Sequence, residues 1–401
     1  MIEIHASYIR YLGRVLFMLY FDHSATTPPS QPVLDTMLQV AQKYYGNPSS
    51  VHRLGEEARR LLDHARFQIA ELLHFDSREI FFTSSGTESN NWVLQKLVKA
   101  QQAYHPQRYQ VLLSAVEHPS ITAQIPLLQQ MGIEVLKIPV SEEGEVDIQV
   151  FNKLLSDQVL LVSTMAVNNE MGAIQPLEQI AECLADYKQI LWHVDGVQAI
   201  TCQMDLLHHK RIDLLTLTSH KFHSVRGLGI LAIRNRVPKA ALLHGGGQES
   251  GWRSSTENLP AIVATAKALR LAWEGQKQAQ HDLNQYRQQI VTHLEANHWQ
   301  VFGGEKTSSH IICAALPPLP GEVILHAFSN HDVMLSTSSA CSSRKAGHHP
   351  SLEAMGISDA IAQSAIRISM SQTTSQGQVN QLCQVIDQVS QTFNKDKKGA
   401  K

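Results

Sequence analysis

Four short stretches carry side chains able to do covalent or anion-binding chemistry. "STSSACSSRK" (336–345) sets one thiol, Cys341, among small polar residues, with Arg344 and Lys345 just behind it. Cysteine is usually buried as a small hydrophobe, so its place on a loop-forming stretch stands out. A thiolate there is a nucleophile, and the two basic neighbours favour the ionised form. "TSHKFHSVRGLGIL" (218–231) puts Lys221 after an apolar run and ahead of a glycine-rich turn. A lysine sheltered there loses proton affinity and becomes a Schiff-base nucleophile; the alternative is a surface lysine in a turn. "HVDGVQA" (193–199) leaves Asp195 at the end of an apolar strand, where it either pairs with a cation or caps the next turn. "FFTSSGTESNNW" (81–92) runs from strand through small-residue turn to helix. The N–H groups of Gly86 and Thr87 suit a phosphate there, unless Thr87 or Ser85 is only an ordinary cap.

These residues must be positioned by something. Seven apolar runs, 79–84, 109–116, 133–140, 159–167, 190–195, 213–219 and 229–234, read as buried strands. Amphipathic stretches such as "NNWVLQKLVKAQQ" and "PLEQIAECLADY" lie between them. Alternating strand and helix predict an α/β domain around a mostly parallel sheet, with ligands at the carboxyl ends of the strands. Residues 257–298 read as helical, a bridge to a smaller domain with strands near "SHIICAAL" and "AIRISMS" and a last helix, "QVNQLCQVIDQVSQTF". The expected divisions are an N-terminal extension (1–17), a segment packing with the small domain (18–29), a large domain (30–270), a small α+β domain (271–395) and a tail (396–401). The extension reads either as a short extra helix or as a stretch ahead of a natural start at Met18.

Composition narrows the classes. The 401 residues are 43% hydrophobic and 17% charged, with net charge −2, so no basic excess points to a nucleic-acid surface. No apolar run reaches the roughly 18 residues of a membrane span. Five cysteines, at 183, 202, 313, 341 and 383, are odd in number and lack a CxxC, which suits a reducing cytoplasm better than a disulfide framework or zinc site. Cys183 and Cys383 fall at helical spacing with apolar residues and read as core. Adjacent histidines at 208–209 and 348–349 do not face one ion without acidic or thiol partners, so no metal is expected.

A phosphate cradle, an Asp for a pyridinium nitrogen and a Schiff-base lysine are together the parts a pyridoxal 5'-phosphate (PLP) site needs. The sequence resembles the fold-type I PLP-dependent enzymes of the class V aminotransferase group, and within it the NifS/IscS-like cysteine desulfurases. The resemblance runs from Met18 almost to the end. It rests on "YFDHSATTP", "YGNPSSVHRLG", "FTSSGTESNN", "EHPSI", "VNNEMGAIQP", "HVDGVQ", "SHKFHSVRGLG", "GGGQESGWRSSTEN", "SSACSS" and "IRISMS". It implies that Lys221 holds PLP, His118 stacks on the ring and handles a proton, Asp195 meets the pyridinium nitrogen, and Gln198 meets the ring oxygen. It implies that Gly86, Thr87, Thr218 and His220 hold the phosphate, and that Thr256 reaches the phosphate of a neighbouring subunit, making a homodimer. Arg367 then grips the carboxylate of L-cysteine, Asn169 lies between that carboxylate and the ring, and Cys341 takes the sulfur as a persulfide. The implied acceptor is a tRNA-thiolation enzyme or an iron–sulfur scaffold, with the short C-terminal end tilting towards the former. A selenocysteine lyase or small-substrate aminotransferase would use the same Lys, Asp and Arg. Three departures from the family pattern stand out: "TSSGTE" for "TSGATE", Gly196 for alanine, and "SVRGLG" for a proline-containing turn.

Overall fold

The computed structural model describes residues 18–337 and 349–399, with side chains through Phe393. The extension 1–17 and the loop carrying Cys341 lie outside the described residues. The seven expected strands all form, as β2 (Ile80–Thr83), β3 (Gln110–Ser114), β4 (Glu134–Ile138), β5 (Val159–Met165), β6 (Leu191–Asp195), β7 (Leu214–Thr218) and β8 (Gly229–Ile233). They make one sheet in the order β2-β8-β7-β6-β5-β3-β4, in which only β8 runs against its neighbours. All but β6, which ends at Asp195 as expected, end a residue or more inside their expected runs, where the chain turns into a loop. β5 stops at Met165, and Ala166–Val167 already bend towards the site.

Strands β5 to β8 are buried along their whole length, which explains their unbroken apolar character. Helices Gln31–Lys43 and Arg53–Leu73 and the first half of the long helix Leu259–Ala296 cover one face. The helical run from Gly86 to Tyr104 covers the other, with Trp92, Leu94, Leu97 and Val98 packed on it. Pro260 opens the long helix, and the Asn258 side chain accepts from Ala261 N (3.4 Å).

The long helix passes from this core into a second one, where Leu283, Ile290 and Leu294 pack on a smaller sheet. That sheet is antiparallel, in the order β12 (Ser336–Thr337), β13 (Ala365–Ser369), β10 (Ile311–Ala315), β9 (Gln300–Phe302). The chain's first described residues join it: β1 (Leu19–Tyr20) pairs with β11 (Val333–Met334), and Phe21 is buried in the second core. From there "DHSATTP" runs back across the large sheet, so one segment touches both bodies. Among the cysteines, Cys383 is buried in the second core. Cys183 departs from expectation: it is half-buried at the edge of the first core, because its short helix, Leu177–Cys183, ends there.

Candidate active site

A cavity of about 290 Å³ opens where β2, β5, β6 and β7 end. β7 hands over to a single 3-10 turn, Ser219–Lys221, which delivers Lys221 to the cavity wall. Its Nζ donates to the carbonyl of Ser24, which also accepts from Gln198 Nε2 (3.0 Å). The "DHSATT" segment thus supplies a backbone anchor for two expected site residues.

Asp195 closes β6 at the cavity floor, 6% exposed. Of the two alternatives raised by its sequence position, the structure shows the cap; its second oxygen takes a neutral amide donor rather than a cation. Oδ1 accepts from Val197 N (3.1 Å), capping the turn, while Oδ2 accepts from Asn90 Nδ2 (2.9 Å). Asn90 sits one helical turn beyond Gly86, on the same side of its helix, and also donates to Ser120 Oγ (2.8 Å). Behind the floor, Glu117 is buried, its Oε1 accepting from Met165 N (2.6 Å). Burial first, and then the charge of Asp195, push Glu117 well above the usual carboxylate range.

His118 lines the cavity, with Nδ1 engaged by Ser120 Oγ (2.8 Å). Burial lowers its pKa, the charge of Asp195 opposes that shift, and Lys221 adds to it. His220 and Thr218 stand on the far side, near Gly86 and Thr87. Burial, then the positive charges of Lys221 and Arg226, bring His220 down to about 4, which leaves a neutral ring at neutral pH. Of the two candidate caps it is Ser85 that takes the role, accepting from Glu88 N (3.1 Å). The cradle turn lies tight against β8: a Cβ on Gly229 would come within 2.3 Å of Thr83 Oγ1 and 2.5 Å of Ser85 O, so only glycine fits. The departure at Gly196 has a local reason as well, since a Cβ there would press on Leu215 Cδ1 (2.8 Å) and Leu207 Cδ2 (2.9 Å).

At the other end Arg367, 3% exposed, projects from β13. Its Nη1 donates to Asn169 O and its Nη2 to Asp22 Oδ1, both at 2.8 Å, and Nε has no partner. The cavity therefore gathers Lys221, His118, Gly86, Thr87, Asn169, Asp195, Gln198, Thr218, His220 and Arg367. Thr256 does not line it, being exposed on the segment ahead of the long helix. Ser24, Asp22, Asn90, Glu117 and Glu170 belong to the site without having been singled out in the sequence. Each lies inside a quoted family block, but no local pattern marks it.

The residues fit PLP. A lysine amine, a buried carboxylate and a neutral imidazole face one cavity, and two of its buried polar atoms, Ser24 Oγ and Asn90 Oδ1, are without hydrogen-bond partners. Among the described residues no group of His, Cys, Asp and Glu could hold a metal ion. His208 instead stacks on His74, ring centres 3.9 Å apart, and His209 meets Trp192 edge-on.

A mostly parallel α/β sheet with this lysine and aspartate at its carboxyl end, faced by this arginine from a smaller sheet, defines a fold-type I PLP-dependent enzyme. The sequence pattern described as Aminotransferase class-V matches residues 19–382. A "NifS/IcsS protein homolog" of Lactobacillus delbrueckii subsp. bulgaricus is 40% identical over 382 residues, covering 94% of this chain and 98% of the relative. "Cysteine desulfurase IscS" of Clostridium botulinum is 32% identical over 92% of this chain and 94% of its own length. A solved "NifS-like protein" superposes with a TM-score of 0.87 at 32% identity, covering 94% of this chain and all of that one. The chain belongs to the class V aminotransferase family, in its cysteine desulfurase branch.

Proposed function

We propose that the protein takes sulfur from L-cysteine, releases L-alanine, and carries the sulfur as a persulfide on Cys341 to an acceptor protein. PLP bound at Lys221 supplies the electron sink for carbanion chemistry at the substrate's Cα and Cβ. Arg367 holds the substrate carboxylate, and Asn169 keeps Arg367 in place through its carbonyl. His118, buried and with Nδ1 accepting from Ser120 N (3.1 Å), presents Nε2–H to the cavity and is able to give a proton there and recover it. The Cys341 thiolate attacks the substrate sulfur, the Cβ–S electron pair goes to carbon, and a proton completes alanine. Cys341 is left one sulfur richer, and a thiolate of the acceptor takes that sulfur in a second attack.

One observation carries the assignment of Cys341. Cys202, Cys313 and Cys383 are buried, Cys183 is half-buried, and burial raises the pKa of all four thiols, Cys383 to about 11. None lines the cavity. The Cys341 loop follows directly on β12, whose Ser336 pairs in register with Arg367. Cys341 lies five residue steps along the chain from Ser336, a reach of up to about 17 Å from the substrate end of the cavity.

The reading includes a cytoplasmic homodimer in which Thr256, exposed and outside its own cavity, completes the partner's phosphate site. No helix among the described residues is long and apolar enough to cross a membrane. For the acceptor, a tRNA-thiolation enzyme or an iron–sulfur scaffold suits a thiol-borne sulfur. The test is direct. With L-cysteine and a reductant, the wild type should release equal amounts of sulfide and alanine. Cys341→Ser should keep its cofactor, bind L-cysteine and stop there. Sulfide release at the wild-type rate by that variant would move a selenocysteine lyase or other PLP lyase ahead.

A further inference from the structure

The cavity contains one buried acid that the reaction above leaves without a task. Glu170, 8% exposed, lines the wall beside Arg367, and its Oε2 has no hydrogen-bond partner. Its turn does not need the carboxyl group, because Asn168 Oδ1 already accepts from Glu170 N (2.8 Å) and Met171 N (3.0 Å). The groups that face it come from three elements: Arg367 on β13, Cys313 on β10, and the Ser351 hydroxyl on helix Pro350–Ala354. Arg367 is itself partly engaged, since Asn169 O and Asp22 Oδ1 each hold one terminal nitrogen. A substrate carboxylate arriving there gains from a further donor.

We propose that Glu170 is a second recognition group for the carboxylate of the α-amino-acid substrate, its neutral carboxyl group donating beside the guanidinium of Arg367. The proposal rests on the amino-acid reading of this site. Burial pushes Glu170 up to about 7, with the charge of Arg367 and the Ser351 hydroxyl pulling the other way. A bound carboxylate brings another negative charge and holds the proton on more firmly. Once ionised, the same side chain repels the substrate and competes with it for Arg367. Glu170 thus makes the site read a carboxylate as such: an amine without one gains nothing from the protonated acid and loses nothing when the acid ionises.

L-alanine tests this without involving sulfur, through the absorbance change of the bound cofactor. Its dissociation constant should be measured from pH 6 to pH 9 for the wild type and Glu170→Gln, whose amide donates at every pH. Titration of the ligand amine, His118 and Lys221 affects both proteins alike and cancels in their ratio. The wild-type to Glu170→Gln ratio should stay near one at pH 6 and rise about tenfold per unit above pH 7, as the competent fraction falls. Glu170→Met, with no donor, should bind L-alanine roughly tenfold more weakly at pH 6. A ratio that stays flat from pH 6 to 9, or wild-type affinity in Glu170→Met, overturns the proposal. If the variants lose their cofactor, the wild type decides alone: its preference for L-alanine over ethylamine must fall above pH 7, and a constant preference overturns the proposal. No absorbance response to L-alanine and L-cysteine alike is a different result, and refutes the amino-acid reading itself.

Discussion

Asn90→Leu should weaken both cofactor binding and turnover, and the structure sets the size of the loss. Asn90 Nδ2 donates to Asp195 Oδ2 at 2.9 Å and to Ser120 Oγ at 2.8 Å. Leucine keeps the volume and removes the donor. Ser120 is not orphaned, because its hydroxyl still meets His118 Nδ1 at 2.8 Å. The loss therefore falls on Asp195, which among the described residues keeps Val197 N at 3.1 Å as its remaining donor. A hydrogen bond to a charged group is worth about 1.5–3 kcal/mol, or roughly ten- to hundredfold in an equilibrium constant. The PLP dissociation constant, from absorbance titration of the stripped protein, should rise by that factor, and kcat with L-cysteine should fall. If Asn90 acts through Asp195, the effect should shrink to about twofold or less in an Asp195→Asn background, since the two residues form one interacting unit. Cofactor affinity unchanged in Asn90→Leu, or an equal loss in both backgrounds, would refute the reasoning.

Lys221→Ala should lose the cofactor that borohydride fixes covalently in the wild type, and a retained, reducible cofactor would sink the lysine assignment. His193 is buried between Ser163 Oγ (2.8 Å) and Thr216 Oγ1 (3.0 Å), and burial lowers it to about 4. The unfolded chain then binds more protons below pH 6.5, so stability present above that pH should fall as the pH drops from about 6.5 to 4, on the order of 1 kcal/mol per unit for this histidine. Urea melts at pH 7 and 5 check the sign, and His193→Gln should flatten the slope. Gly196→Ala, although it restores the residue usual in the family, should cost about 1–3 kcal/mol by crowding Leu207 and Leu215. A melting temperature equal to the wild type would contradict that.

Much of the fold was legible before any coordinates. Strands β5 to β8 show as apolar runs because a sheet covered on both faces needs side chains that are buried whichever way they point. Lys221, Asp195 and the Gly86–Thr87 turn show because each breaks the pattern at the end of such a run, where a charge or a small residue has no packing reason to be. Cys341 shows for the converse reason, a thiol in a stretch of small, mostly polar residues. Strand order, and the fact that only β8 runs antiparallel, do not show, because pairing joins residues far apart in the chain.

Other features depended on the tertiary structure alone. Asp22 and Arg367 are 345 residues apart, and Asn90 and Asp195 are 105 apart. Nothing local distinguishes Asn90 from Asn91 beside it, or Glu170 from any other acid in a turn. What separates them is burial and the direction a side chain is made to point. Asn91 is half-buried and bonds within its own helix, while Asn90, one residue earlier, is buried and turns onto Asp195. Glu117 is an ordinary glutamate by sequence and an acid pushed well above the usual carboxylate range in the fold, because desolvation and the nearby charge of Asp195 both oppose its ionisation. The sequence by itself determined which residues were able to do chemistry. The tertiary structure decided which were buried together, and burial sets their charge states and hydrogen-bond partners.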